Sequence, residues 1–210
     1  MLSHRDIDHV GSAASLLDEL PVAALATSLP AGHSLLPGKV PHRRCADGQA
    51  WDWDGVHFEL LRPQPADYLP SARPNTLSCV LRIEGAAGRS LLLAGDIEAA
   101  QEAALVKRLG RGLRSQVLLV PHHGRKTSSS EAILEAVAPR TAVVQAGYRS
   151  RFGHPAPEVV GRYRALGVEP QRSDACGAWL WDAQGGAQSQ RESARRYWHH
   201  RAIGGPGRGP

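Results

Sequence analysis

No run of about 18 or more apolar residues occurs in the 210-residue chain, so no segment is long enough to cross a bilayer as a helix. A charged start followed by an apolar stretch, the mark of a secretory signal, is missing as well, and the chain reads as soluble. Cysteine is scarce. Cys45, Cys79 and Cys176 lie far apart with no CxxC spacing, which points to neither a zinc knuckle nor a disulfide framework and leaves the redox compartment open. Repeats are sparse, and the length suits one well-buried domain plus a tail. The formal charge of +5 is modest, but the arginines are unevenly placed, and local clustering matters more than the sum for attracting polyanions.

What is present follows an α/β order. Residues 10–20 have helical apolar spacing and stop at Pro21. From 22 to 84, short apolar or alternating runs (VAALAT, AWDWDGVHFELL, TLSCVLRIE) are divided by Pro- and Gly-rich connections, which predicts sheet with one long loop. SLLLA then reads as a strand ending at Gly95-Asp96, followed by an amphipathic helix over 97–109. The same order recurs in QVLLVP, HHGRKT and SSSEAILEAV, where Ser128 and Glu131 fit a capping box. It recurs again in TAVVQAG, YRSRFGHP and APEVVGRYRALG, with VEPQRS and GAWLWD as the last strands.

Metal-ligand residue types concentrate at strand ends, where open α/β folds gather their ligands. In HRDIDH, an extended backbone points His4, Asp6 and Asp8 to one side, and a bend brings in His9. Mixed imidazole and carboxylate donors suit Mn²⁺ or Zn²⁺. Each residue also has a plainer reading. The aspartates and histidines of HRDIDH fit exposed turn residues, Asp96 fits an N-cap for the helix at 97, and His154 fits a loop histidine. Of His122 and His123, one ring is expected to face the site and the other to pack outward. Their shared position at strand ends favours a joint site.

In this order, SHRDIDHVG, LLLAGDIE, VLLVPHHG and QAGYRSRFGHP resemble the metallo-β-lactamase-like domain of the ComEC family of DNA-uptake competence proteins. WDWDGVHFELLRP and NTLSCVLRI are similar to its connecting strands, so the resemblance covers about residues 2–182. It implies an αββα sandwich and two divalent metal ions, Mn or Zn. The superfamily pattern is HxHxDH, with the second histidine replaced by aspartate in this branch, as Asp6 shows. By position, the resemblance assigns His4 and Asp6 to one metal, Asp8 and His9 to the other, and Asp96 to both. It gives His122 or His123, and His154, as remaining ligands. Ser12 stands where the family often has a second glycine and Arg125 where HHG is often followed by serine, but neither change removes a ligand.

The resemblance further implies a nuclease that degrades the non-transported DNA strand, with Asp8 orienting or deprotonating the attacking water. Its partners would be single-stranded DNA and the membrane channel region of a full-length competence protein, and its place the outer, periplasmic face of the inner membrane. Arg125 and Lys126 follow HHG, and Arg149 and Arg151 precede His154, as DNA-binding cations around the site. Other readings are a stand-alone small phosphodiesterase and an inactive DNA-binding or interaction module. The third arises because the β-rich half that normally precedes HxDxDH in this superfamily does not appear. The expectation is therefore an N-terminally incomplete domain over 1–182, lacking part of the first sheet and open to self-association through an exposed sheet edge. A Gly- and Arg-rich flexible tail follows over 183–210, with Arg191, Arg195, Arg196, Tyr197 and Trp198 either solvated or adding DNA contacts.

Overall fold

The structure, a computed structural model, describes residues 1–36, 40–182, 184 and 186–197. Helical turns α1 (Ile7–Val10) and α2 (Ala13–Glu19) open the chain, followed by strands β1 (Leu25–Thr27), β2 (His42–Arg44), β3 (Ala50–Trp53), β4 (Val56–Arg62), β5 (Val80–Glu84) and β6 (Ser90–Leu93). Helix α3 (Ala99–Leu109), β7 (Val117–Leu119), α4 (Glu131–Val137), β8 (Thr141–Val144), α5 (Pro157–Ala165) and β9 (Gln171–Arg172) come next. The last elements are α6 (Ser173–Cys176), β10 (Trp179–Trp181), β11 (Ala187–Ser189) and α7 (Gln190–Ser193).

A seven-stranded sheet in the order β3 to β9 forms the centre. Its first three junctions, as far as β6, are antiparallel, and the last three are parallel. The change follows from the connections, because α3, α4 and α5 are crossovers that return each strand in the same direction. Leu92, Leu118, Ala142 and Val144 pack beneath Leu105, Ile133, Leu134, Val159 and Tyr163 in one core. On the opposite face Leu91, Leu93, Leu119 and Val143 remain half-buried. A smaller parallel pair, β1 with β2, is bridged to the chain start at Leu2, and Ala26 packs on the central-sheet cluster of Leu60, Leu81, Ile83 and Leu93. The expected α/β class is thus a mixed sheet with a two-stranded second layer.

Several local expectations give way. The helix expected over 10–20 is two short elements, and α1 makes Asp8 and His9 helical, so the extended alternation of HRDIDH stops at Asp6. Cys45 and Cys79 form a disulfide, both sulfurs buried, where the sequence pointed to none; a separation of 34 residues carries no local signal for the pairing. The flexible tail expected from 183 gives way to a hairpin, with Trp179 opposite Ser189, and the Arg191 guanidinium donates to the carbonyl oxygens of Asp174 and Ala175. Residues 183, 185 and 198–210, Trp198 among them, lie outside the described residues.

The Ser128 and Glu131 capping box does not form. Ser128 Oγ instead donates to the carbonyls of Pro121 and Arg125. The start of α4 is held from another helix: the Glu102 carboxylate of α3, fully buried, accepts the backbone N–H groups of Ser129 at 2.6 Å and Ser130 at 2.8 Å. An anion at a helix start also complements the helix dipole. Replacing Glu102 with Ala strands two buried donors, and the free energy of unfolding in a urea titration should fall by about 3 kcal/mol, with a smaller loss for Glu102→Gln.

Candidate metal centre

The chain start is locked before α1 begins. The Ser3 carbonyl accepts the backbone N–H of Cys79 at 3.1 Å and the Ser28 hydroxyl at 2.5 Å, which fixes His4 between β1 and β5. Asp6 then turns the backbone into α1, its carbonyl accepting the N–H groups of His9 and Val10. Asp96 leaves the end of β6 through Gly95, whose φ of 57° places it in the left-handed region. A Cβ at Gly95 would stand 3.0 Å from that of Ser78, and this close approach lets Ser78 Oγ accept the Asp96 N–H at 3.0 Å. His122 and His123, past β7, both hold positive φ, 50° and 55°, a strained conformation of the kind that clusters at functional sites. Gly124 allows the turn to press on the His154 loop, since a Cβ there would meet Pro155 Cβ at 2.6 Å.

Asp96 is the point where these elements meet. One ligand atom from each of Asp8, His9, Asp96 and His123 falls within 4.8 Å of the others. Asp96 Oδ1 is 3.3 Å from His9 Nε2, and Asp96 Oδ2 is 3.6 Å from His123 Nε2. On the other side, Oδ2 lies 3.8 Å from His4 Nε2 and 3.7 Å from His122 Nε2. Asp6 Oδ2 is 3.6 Å from His4 Nε2. Both members of the HH pair therefore turn toward Asp96, against the expectation that one packs outward. His154 stands beside them, its ring centroid 6.3 Å from that of His122 and 6.5 Å from that of His123. Asp96 does not cap the following helix, which starts at Ala99 with Glu98 as its cap residue.

The donor set suits divalent ions on the structure's own terms. His123 Nδ1–H donates to the Gln145 carbonyl at 3.0 Å, which directs Nε2 to Asp8 Oδ2 at 3.1 Å. A proton or a metal ion must lie between these two acceptors. Ser3 Oγ is 3.0 Å from both His4 Nδ1 and His9 Nδ1, and its two lone pairs can accept from both rings. That leaves two Nε2 atoms aimed at carboxylates, buried and without a well-aligned hydrogen bond. His4, Asp6 and His122 would hold one ion, Asp8, His9 and His123 the other, with Asp96 between them.

Electrostatics sort the rings. Burial and the neighbouring His9 hold His4 below the usual histidine value of 6.5, against the pull of Asp96. Burial likewise lowers His122 and His154, with Arg125 adding to the effect at both. Burial also opposes charge on His9, but its close approach and attraction to Asp96, with help from Asp8 and Asp6, raise its pKa above 6.5. Asp96 is pulled down in return, the histidine contacts outweighing burial.

Sequence reasoning missed the supports. Glu98 Oε1 stands 3.3 Å from His122 Nδ1 and accepts the Thr127 hydroxyl at 2.7 Å; its only signal was its place two residues beyond Asp96. Ser3, Ser78 and Gln145 gave none, because they act across strands. Among the expected DNA-binding cations, Arg125 and Lys126 are exposed past the histidine turn. Arg149 and Arg151 are exposed as well, their guanidiniums over Tyr148 and Phe152 at 5.3 and 4.8 Å. The Phe152 ring stacks toward His154 at 6.0 Å.

A sequence profile of the metallo-beta-lactamase superfamily matches residues 1–148. The chain belongs to that superfamily. This metallo-beta-lactamase domain is 37% identical to Competence protein ComA of Neisseria gonorrhoeae over 205 residues, 97% of this chain and 28% of ComA. It is 34% identical to Recombination protein 2 of Haemophilus influenzae over 162 residues, 77% of this chain and 19% of that protein. The chain thus spans well under a third of the length of these curated relatives. Igni18, a metallo hydrolase from Ignicoccus hospitalis, matches at TM-score 0.54 and 14% identity over 89% of this chain and 76% of its own, a likeness of fold. The metallo-beta-lactamase fold implies divalent metal ions and supports a metal-dependent hydrolase, here one related to competence proteins.

Metal must compete with the proton that Asp96 favours on His9. Because that pKa is raised above 6.5, apparent Zn²⁺ affinity in calorimetric titrations should be highest above the raised value. As pH falls through it, affinity should drop by about tenfold per pH unit for each proton displaced, with proton release on metal addition.

Proposed function

We propose that the chain is a metal-dependent DNA hydrolase of a DNA-uptake machinery, cutting the strand that is not transported. The observation that carries this reading is the Asp96-centred set of two acid-and-histidine groups, flanked by exposed arginines. Similarity to proteins named for competence and recombination supports the same substrate. Bound divalent ions, Mn or Zn, would supply a hydroxide near neutral pH and neutralise charge on the phosphoryl oxygens. The chain's own residues do the rest. Asp8 has a side chain 55% exposed with Oδ2 at the inner edge of the site, so it can reach solvent, orient a water and accept its proton.

Arg125, which already acts electrostatically on His122 and His154, would hold a phosphate next to the reacting one, with Lys126 beyond it. Arg149 with Tyr148 and Arg151 with Phe152 are paired cation and ring surfaces, which suit the backbone and bases of an unpaired strand.

The Cys45–Cys79 disulfide supports an oxidising compartment, consistent with the periplasmic face of the inner membrane. Among the described residues no helix is long and apolar enough to cross a membrane. In this reading the channel is a separate membrane region, and this domain processes DNA at its mouth. Self-association belongs to the same proposal, through edge strand β3, where Trp53 is 68% exposed.

Labelled single-stranded DNA incubated with the chain and Mn²⁺ or Zn²⁺ tests the reading. Cleavage should depend on metal, and Asp8→Ala should lower its rate by about 100-fold or more. Folded protein that binds DNA in a salt-sensitive way but never cuts it would mark a binding module. Turnover of a small phosphodiester without DNA cleavage would mark a small-molecule enzyme.

A further inference from the structure

Behind His4 lies a second concavity that the proposed reaction does not use. It encloses about 260 Å³ and shares His4 with the metal centre. Its walls are largely apolar, with Leu29, Pro70, Pro74 and Leu77 among them, and Arg5 and Arg44 bring two exposed cations to it. Among the described residues no carboxylate lines it. One wall is rigid: the Arg44 guanidinium lies 4.5 Å over the Tyr68 ring, and Tyr68 Oη donates to the carbonyl of disulfide-bonded Cys45 at 2.7 Å.

We propose that this cavity is a single-nucleotide subsite, which takes one unpaired base of the DNA strand between its apolar walls and holds the attached phosphate with Arg5 and Arg44. The proposal rests on the DNA-hydrolase reading and narrows its substrate to single strands. Apolar walls alone would suit any small hydrophobe, and arginines alone any anion; a nucleotide has both parts joined. Arg44, already paired with Tyr68, presents a flat cationic surface for a base. Burial pushes the Tyr68 phenol up to about 12, so no anion forms there to repel phosphate. The volume of about 260 Å³ accommodates a base with its sugar, and a base reaches these walls only when it has left its duplex. His4 lines the cavity and also approaches Asp96 at 3.8 Å, which places the held phosphate near the metal centre.

The test uses the full, metal-free chain and a trinucleotide, with binding followed by calorimetry. Arg44→Gln should weaken binding by about tenfold, the loss of one charge-assisted contact. Ala31→Trp fills the cavity from an exposed position and should weaken it at least as much. Both variants should keep the wild-type far-ultraviolet circular dichroism and Zn²⁺ affinity. An abasic trinucleotide should bind the wild type as weakly as the intact one binds Ala31→Trp. Equal binding of abasic and intact trinucleotides, unchanged binding by both variants, or no binding to the wild type would overturn the subsite. Because this binding is measured without metal, a failure of DNA cleavage in the separate assay with Mn²⁺ or Zn²⁺ would defeat the hydrolase reading and leave this result standing. Metal-dependent cleavage with an unchanged KM in both variants would defeat the subsite alone.

Discussion

The Asp96 carboxylate is the constraint on which the rest depends. It is 5% exposed, and four imidazoles approach its two oxygens within 3.8 Å. A buried anion in that position needs positive charge nearby, and histidines supply it only while protonated. Asp96 raises the pKa of His9 above the usual histidine value, while burial lowers those of His4 and His122. Divalent ions would relieve the same need without protons and leave every ring free to act as a ligand. Charge balance around one carboxylate thus links metal binding, pH and the stability of the site.

The scaffold meets that constraint by placing Asp96, His122, His123 and His154 beyond the ends of strands, and Asp8 and His9 on α1. β6, β7 and β8 run parallel and deliver Asp96, the histidine pair and His154 to one edge of the sheet. The turns after them are tight. Gly95 lets Asp96 approach Ser78, and Gly124 lets the histidine turn meet Pro155. Glu102, 27 residues before Ser129, holds the start of α4 just past that turn. At the same edge, because β5 runs antiparallel to β6, the chain start is clamped to β1 and β5, and the disulfide ties the end of β2 to the start of β5. The proposed nucleotide cavity lies beside this clamp, which would position both His4 and the wall of the subsite.

Much of this was legible where the physics is local. Apolar runs ending in Gly-Asp or His-His gave the strand ends, and their recurrence gave the α/β order of the second half. The ligand-type residues of HRDIDH, Asp96, His122, His123 and His154 were all named from such ends. What escaped depends on contacts between distant segments. Cys45 and Cys79 pair only because β2 and β5 are neighbours in space. Glu102 replaces a capping box that the local pattern Ser128 to Glu131 described well. HRDIDH was read as extended because alternation favours a strand, but α1 winds Asp8 and His9 around to face Asp96, a geometry that strand periodicity does not encode. Arg5 and Arg44 are ordinary exposed arginines until folding sets them on one cavity.

Metal content per chain tests the central claim most directly. After saturation with Zn²⁺ and removal of the excess, elemental analysis should find two ions in the wild type, about one in His4→Ala, and close to none in Asp96→Ala. Two ions retained by folded Asp96→Ala, or none bound by the wild type, would contradict the placement of Asp96 between two metal sites.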